Sequence, residues 1–300
     1  PTEAEVQLSK MLVDSSVFID QVRFMSTGTE AVMSAVRLAK YYTNRSLIIK
    51  FDGSYHGHAD SVLGKFYPQA QRGQSGIDPF LYDNTLLARY NNIEDVENYF
   101  LKYNNQIAVV IIEPIACNRN LTLPTTEFLA NLRKLCDQHG ALLIFDEVIT
   151  GFRFNYGSIV NKLKVEPDLV TFGKVLGGGT PIGVYGGKKH IMALHNSEND
   201  GLHFAGTFSA NPLTISASIA TLQELQKGHF YQHGEELGSL LEINLIKELK
   251  EYADSFEFKR LGSVFVFKPL KNKQIYSELY NDYSKLNTAM LREGFIMTPS

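Results

Sequence analysis

Ala141-Leu142-Leu143-Ile144-Phe145-Asp146-Glu147 is the stretch that decides the fold. Consecutive apolar residues read as a strand buried on both faces, as in a parallel sheet covered by helices on each side. The run then delivers two carboxylates to the end of that strand. In open α/β sheets ligands sit at the carboxyl ends of the strands, and a buried carboxylate there is costly unless it meets a positive partner. The same ending occurs in ATPase strands that hold a metal ion, but those need a Gly-x-x-x-x-Gly-Lys-Ser/Thr loop for the phosphates. No such loop occurs in the chain, and the ATPase reading loses.

Working outward, Glu127–His139 has the apolar spacing of an amphipathic helix, closed by Gly140. Leu169–Phe172 reads as the next strand, entering Gly173-Lys174 and the glycine triplet 177–179. Upstream, Ile107–Ile112, Leu47–Phe51 and Val22–Ser26 read as strands. Thr27-Gly28-Thr29 then opens a helix whose Val32, Ala35, Val36 and Ala39 form one apolar stripe. Alternating strand and helix segments predict an α/β fold with a mostly parallel central sheet flanked by helices. Ser209–Leu225 is expected as a long helix after Thr207. Beyond it the chain turns to charged helix and short strands such as Ser263–Phe267. We therefore expect a large domain over 1–225 and an incomplete, smaller α+β domain over 226–300. The polar opening without a Met and the abrupt end at Ser300 lead us to expect a fragment of a longer chain.

Composition narrows the function classes. The 300 residues are 44% hydrophobic and 20% charged with a formal charge of −3, ordinary values for a globular protein. Nothing in that balance predicts nucleic acid or an anionic membrane as partner. No run approaches the ~20 apolar residues of a membrane span. The 2 cysteines, Cys117 and Cys136, are too few for a disulfide framework, which points to a reducing, cytoplasmic setting.

Four features carry chemistry. Lys174 stands between an apolar strand and glycines with no other charge nearby, surroundings that favour a neutral, nucleophilic amine. Thr27-Gly28-Thr29 at a helix N-terminus offers free N–H groups and hydroxyls to an anion, although capping alone explains Thr29. Gly206-Thr207 offers a further hydroxyl. Tyr55-His56-Gly57-His58-Ala59-Asp60 reads either as an aromatic cover for a flat ligand, with Tyr55 and His56 against one face, or as a metal site of a hydrolase on His56, His58 and Asp60.

In this order the features resemble the class III (fold type I) pyridoxal-phosphate-dependent aminotransferases, and within them the glutamate-1-semialdehyde 2,1-aminomutase branch. The resemblance is carried by Arg23–Ala39, Lys50–Asp60, Ile112-Glu113-Pro114, Leu143–Arg153, Pro167-Asp168, Phe172–Gly183 and Gly206–Leu213. It implies pyridoxal 5'-phosphate as cofactor, carried on Lys174 as an imine, with Lys174 also moving the substrate proton. Asp146 would hold the ring nitrogen, Val148 and Tyr55 the two ring faces, Gly28 and Thr29 the phosphate, and Asn118 the ring hydroxyl. Thr207 would reach the phosphate of a partner subunit, so a homodimer is implied. Small amino and carbonyl compounds are the implied substrates.

The chain departs from that branch between Leu63 and Pro79, which lacks the Ala-Gly-Ser-Gly loop of the aminomutases. That departure favours a transaminase with two substrates over a mutase. A scaffold without activity is a third reading, opposed by the intact Lys174 and Asp146.

Overall fold

The computed structural model describes residues 1–64, 76–196, 202–251, 256–269 and 276–296. The departure from the aminomutase loop falls mainly on 65–75, outside the described residues. The chain divides into two compact units, Pro1–Gly228 and His229–Ser300.

The first unit is built on a seven-stranded sheet, β1 (Gln21–Met25), β2 (Leu47–Phe51), β3 (Thr85–Ala88), β4 (Ile107–Ile112), β5 (Leu142–Asp146), β6 (Leu169–Gly173) and β7 (Gly183–Gly187). Their spatial order is β1-β7-β6-β5-β4-β2-β3. β7 runs antiparallel to both neighbours, while β3, β2, β4, β5 and β6 pair in parallel. Every residue of β2, β4, β5 and β6 is buried, as unbroken apolar runs require when helices cover both faces.

Helix α1 (Glu3–Asp14) packs on the Pro212–Gln226 helix, and α2 (Gly28–Thr43) lies across β4, β5, β6 and β7. The buried face of α2 is rich in small residues, Ala31, Ser34, Ala35 and Ala39 among them, which lets the helix lie close on the sheet. Its N-cap is Thr27, whose hydroxyl accepts from Glu30 N at 3.1 Å. Glu30 reaches back to accept from Ser26 N at 2.7 Å, a reciprocal cap that ends β1 before Ser26. Capping therefore falls to Thr27, and the Thr29 hydroxyl meets His58 Nδ1 at 3.4 Å instead.

Two expected boundaries move for local reasons. Ala141 belongs to the helix ending rather than to β5, since its N–H bonds Cys136 O at 3.0 Å behind the left-handed Gly140. The helix expected from Ser209 begins at Pro212, capped by Asn211, whose side chain accepts from Thr214 N at 3.0 Å. Proline is tolerated at the first helical position but would break a helix running through it.

The second unit holds the His229–Glu248 helix, the antiparallel hairpin of β8 (Phe256–Leu261) and β9 (Val264–Pro269), and the Tyr276–Arg292 helix. Arg260 on β8 pairs with Glu235 at 2.8 Å and Glu242 at 2.9 Å, tying the hairpin to the helix before it. Among the described residues no helix is long and apolar enough to cross a membrane.

Candidate active site

The carboxyl ends of β2, β4, β5 and β6 open onto one cavity of about 330 Å³. Thr27, Gly28, Thr29, Tyr55, His56, Asn118, Asp146, Val148 and Lys174 all line it. Ser26, Val32, Gly57, Glu113, Ile149, Thr180, Pro181 and Ile182 complete the wall. Thr207 is not among these residues and lies exposed in the turn before the Pro212–Gln226 helix.

Asp146 is the last residue of β5 and is 5% exposed. Its Oδ1 accepts from Thr171 Oγ1 across the strand pair at 2.9 Å and from Val148 N at 3.2 Å. Its Oδ2 meets His56 Nδ1 at 2.7 Å. Three partners fix this carboxylate in place. His56 was expected to cover a ring face beside Tyr55. Instead its ring is buried and turned onto Asp146, while its Nε2 is buried without a protein partner. Tyr55 keeps an exposed ring at the cavity.

Glu147, the neighbour in sequence, faces away from the cavity. Adjacent strand residues point to opposite faces, and Glu147 is fully buried against the 150–159 turns. It accepts from Ile159 N at 2.9 Å, pairs with Thr150 Oγ1 at 3.1 Å, and meets Ser158 Oγ. Burial pushes its carboxyl up to about 7, against the pull of these bonds. The folded-state value lies above the unfolded one, so this contribution to stability is complete below about pH 4.3 and lost as pH rises through about 7. Glu147→Gln should remove that pH dependence from urea-unfolding midpoints. Glu147→Ala should lower stability by about 3 kcal/mol, the cost of stranding buried partners.

Lys174 begins the short helical turn after β6 and holds a left-handed backbone, φ 44°, which costs a residue with a side chain about 1–2 kcal/mol. Burial pushes its amine below the usual lysine range. The carboxylates of Asp146 and Glu113 pull it back up, and the Arg153 charge pushes it down again. Gly28, at the start of α2, packs against Val148: a Cβ there would sit 2.9 Å from Val148 Cγ1. The N-terminus of α2 thereby comes down against the residue two places past Asp146.

Glu113 is the residue that the sequence reading did not single out. It follows β4 as Asp146 ends β5, and it is buried. It accepts from Tyr55 N at 2.9 Å and from Asn118 Nδ2 at 3.1 Å, so it fixes both walls of the cavity. Burial raises its carboxyl above the ordinary range. An apolar strand delivering an acid was the signal, the same one that found Asp146.

The metal-hydrolase reading loses its ligands. His56 Nδ1 meets Asp146 while His58 Nδ1 lies 3.4 Å from Thr29 Oγ1, so the two rings turn to different partners. Among the described residues no group of three His, Cys, Asp or Glu side chains could hold a metal ion.

Comparison with known proteins agrees with this geometry. Residues 1–299 match the family model for class-III aminotransferases. A glutamate-1-semialdehyde 2,1-aminomutase of Thermosipho africanus is 40% identical over 308 residues, 99% of this chain and 72% of that protein. One of Francisella philomiragia is 41% identical over 98% of this chain and 69% of its own length. Among solved structures, an omega-transaminase from Sphaerobacter thermophilus superposes with a TM-score of 0.90 at 29% identity, over 100% of this chain and 72% of that one. A transaminase with pyridoxal phosphate bound also gives 0.90, at 30% identity and the same coverage. With its cavity at the carboxyl edge of the sheet, its lysine after β6 and its carboxylate at the end of β5, the chain belongs to the class-III aminotransferases, enzymes that work with pyridoxal 5'-phosphate.

Proposed function

We propose that the chain moves an amino group between two small substrates, with pyridoxal phosphate held on Lys174 and its ring nitrogen on Asp146. The observation that carries this reading is that an ionisable amine and a carboxylate fixed by three partners line one cavity. The residues fit the cofactor. The cavity of about 330 Å³ is lined by a carboxylate, by the first turn of α2 with its N–H groups and hydroxyls, and by an exposed tyrosine. When bound, pyridoxal phosphate supplies an electron sink that acidifies the C–H bond beside the amino nitrogen.

The residues of the chain do the rest. Lys174 Nζ, held neutral more readily than a surface lysine, accepts that proton and returns it. Asp146, its orientation held by His56 and Thr171, would supply a countercharge to the ring nitrogen. Gly28, Thr29 and the α2 N-terminus would hold the phosphate. Val148 and Tyr55 would bracket the ring, and Asn118, oriented by Glu113, would serve its hydroxyl.

The same reading includes a homodimer and a cytoplasmic setting. Phe208 and Leu213, on either side of the helix start after Thr207, are 72% and 74% exposed, apolar surface suited to cover by a second copy. Thr207→Ala should weaken cofactor binding by about tenfold, the loss of one hydrogen bond to a charged group. Fluorescence titration of the chain with pyridoxal phosphate checks this, and unchanged affinity would remove Thr207 from the phosphate site.

A second reading, favoured by relatives at about 40% identity that are glutamate-1-semialdehyde 2,1-aminomutases, is transfer within one molecule. Supplying the loaded protein with glutamate-1-semialdehyde alone separates the two. Formation of 5-aminolevulinate without a second substrate means mutase. Transfer only when a separate amino donor and keto acid are present means transaminase. Neither product would overturn both.

A further inference from the structure

We propose that Asn118 shows the ring hydroxyl of the cofactor an amide oxygen, not an N–H₂ group, because Glu113 holds the N–H₂. This chain thereby keeps the ring oxygen as a neutral hydroxyl. The inference rests on the function proposed above and deepens it at one wall of the same site.

A closed loop after β4 places Asn118. Ala116 N bonds Thr122 O at 3.0 Å, and Thr122 N bonds Ala116 O at 3.1 Å in return. Inside that bridge Arg119 N bonds Ala116 O at 3.1 Å, and Asn120 and Leu121 take left-handed backbones (φ 51° and 49°) to complete the reversal. Arg119 Nη2 pairs with Asp52 Oδ2 at 3.1 Å and pins the loop to the segment after β2. With the backbone so held, the remaining choice is which end of the Asn118 amide faces the cavity that it lines.

Glu113 makes that choice. Its side chain is buried, and among the described residues the groups that reach its carboxylate are N–H donors. Tyr55 N donates to Oε1 at 2.9 Å and Asn118 N to Oε2 at 3.4 Å, while Asn118 Nδ2 stands 3.1 Å from both oxygens. Burial raises the Glu113 carboxyl, whereas His56 and these N–H groups pull it down. An ionised carboxylate offers acceptors alone, so the network assigns the nitrogen end of the amide to it. The reverse orientation would bury two acceptors against each other with no proton between them. Asn118 Oδ1 therefore occupies the branch turned away from Glu113. Asn118 is exposed at the cavity, and among the described residues its Oδ1 has no protein partner. An acceptor placed there is satisfied by an O–H and repels an ionised ring oxygen.

The test loads the full chain with pyridoxal phosphate and reduces it with borohydride, which fixes the ring to Lys174 as a secondary amine. An ionised ring oxygen absorbs at longer near-ultraviolet wavelength than a neutral hydroxyl. The labelled peptide, released by proteolysis and read at the same pH, gives the ratio of the two forms in water. Wild type should favour the hydroxyl form by about tenfold over that reference, the weight of one hydrogen bond. In E113Q the glutamine oxygen can keep Tyr55 N, and its own N–H₂ then opposes Asn118, whose amide turns over. The ratio should move back by about tenfold. N118A should read near the peptide, and E113Q/N118A like N118A, because Glu113 acts through Asn118. A wild-type ratio at or below that of the peptide would overturn the proposal without any variant having to fold. So would an unchanged ratio in E113Q, or an E113Q shift that persists undiminished in the N118A background, where the Glu113 charge would be acting directly. A wild type that carries no label on Lys174 would sink the proposed function itself. One labelled there with an ionised ring oxygen would sink the polarity of Asn118 alone.

Discussion

Lys174→Ala protein treated with pyridoxal phosphate and borohydride will carry no covalent label at the active site, and its amino-transfer rate will fall by more than about 10⁴-fold, the upper end for a positioned proton carrier. In the proposed mechanism the amine has two tasks, attachment and proton movement, and alanine performs neither. Mass spectrometry of the reduced wild type should place the label on Lys174, and a label found elsewhere would remove this lysine from the site. The reaction also has a direction with pH. Burial, the leading influence on Lys174, lowers its pKa, so the neutral amine is populated at lower pH than in free lysine. Capture of the cofactor by wild-type apoprotein should thus rise with pH at a midpoint below about 10.4, the ordinary lysine value. A midpoint at or above that value would contradict the buried setting.

Asp146→Asn will bind pyridoxal phosphate with the shape of the site largely kept, yet turn over about 10²- to 10³-fold more slowly, the usual loss when one fixed charge aimed at the reaction is removed. An amide matches the carboxylate in size but brings no negative charge to the ring nitrogen. It also presents an N–H₂ group where Thr171, His56 and Val148 now converge on two acceptor oxygens. Asp146→Glu keeps the charge and displaces it, so its turnover should fall less than that of the amide. Retained activity in Asp146→Asn would mean that the wrong carboxylate has been chosen, and Glu113 would be the next to test.

Much of this frame was legible in the sequence because the parallel strands are unbroken apolar runs. Ile107–Ile112 and Leu47–Phe51 have the bounds that their composition predicts. Lys174 and Asp146 stood out because charge at the end of such a run is conspicuous, and both line the same cavity. Contacts between distant side chains were not legible. Nothing local marks His56 as the partner of a residue 90 positions away, and its aromatic character suggested stacking. The helix start was placed at Ser209 rather than Pro212 because the cap at Asn211 was not recognised. Glu113 carried a readable signal, an acid delivered by an apolar strand, that was used for Asp146 and not applied again.

The contact of Gly28 with Val148 has a metric consequence. It fastens the first residue of α2, where we propose that the phosphate binds, to the residue two places past the β5 carboxylate that we propose for the ring nitrogen. The two ends of the proposed site are then the jaws of a fixed gauge. Molecules with an anion and a ring nitrogen at another separation should not fit between them. Gly28→Ala would open the gauge, and the change would register as lost discrimination between pyridoxal phosphate and analogues of different length.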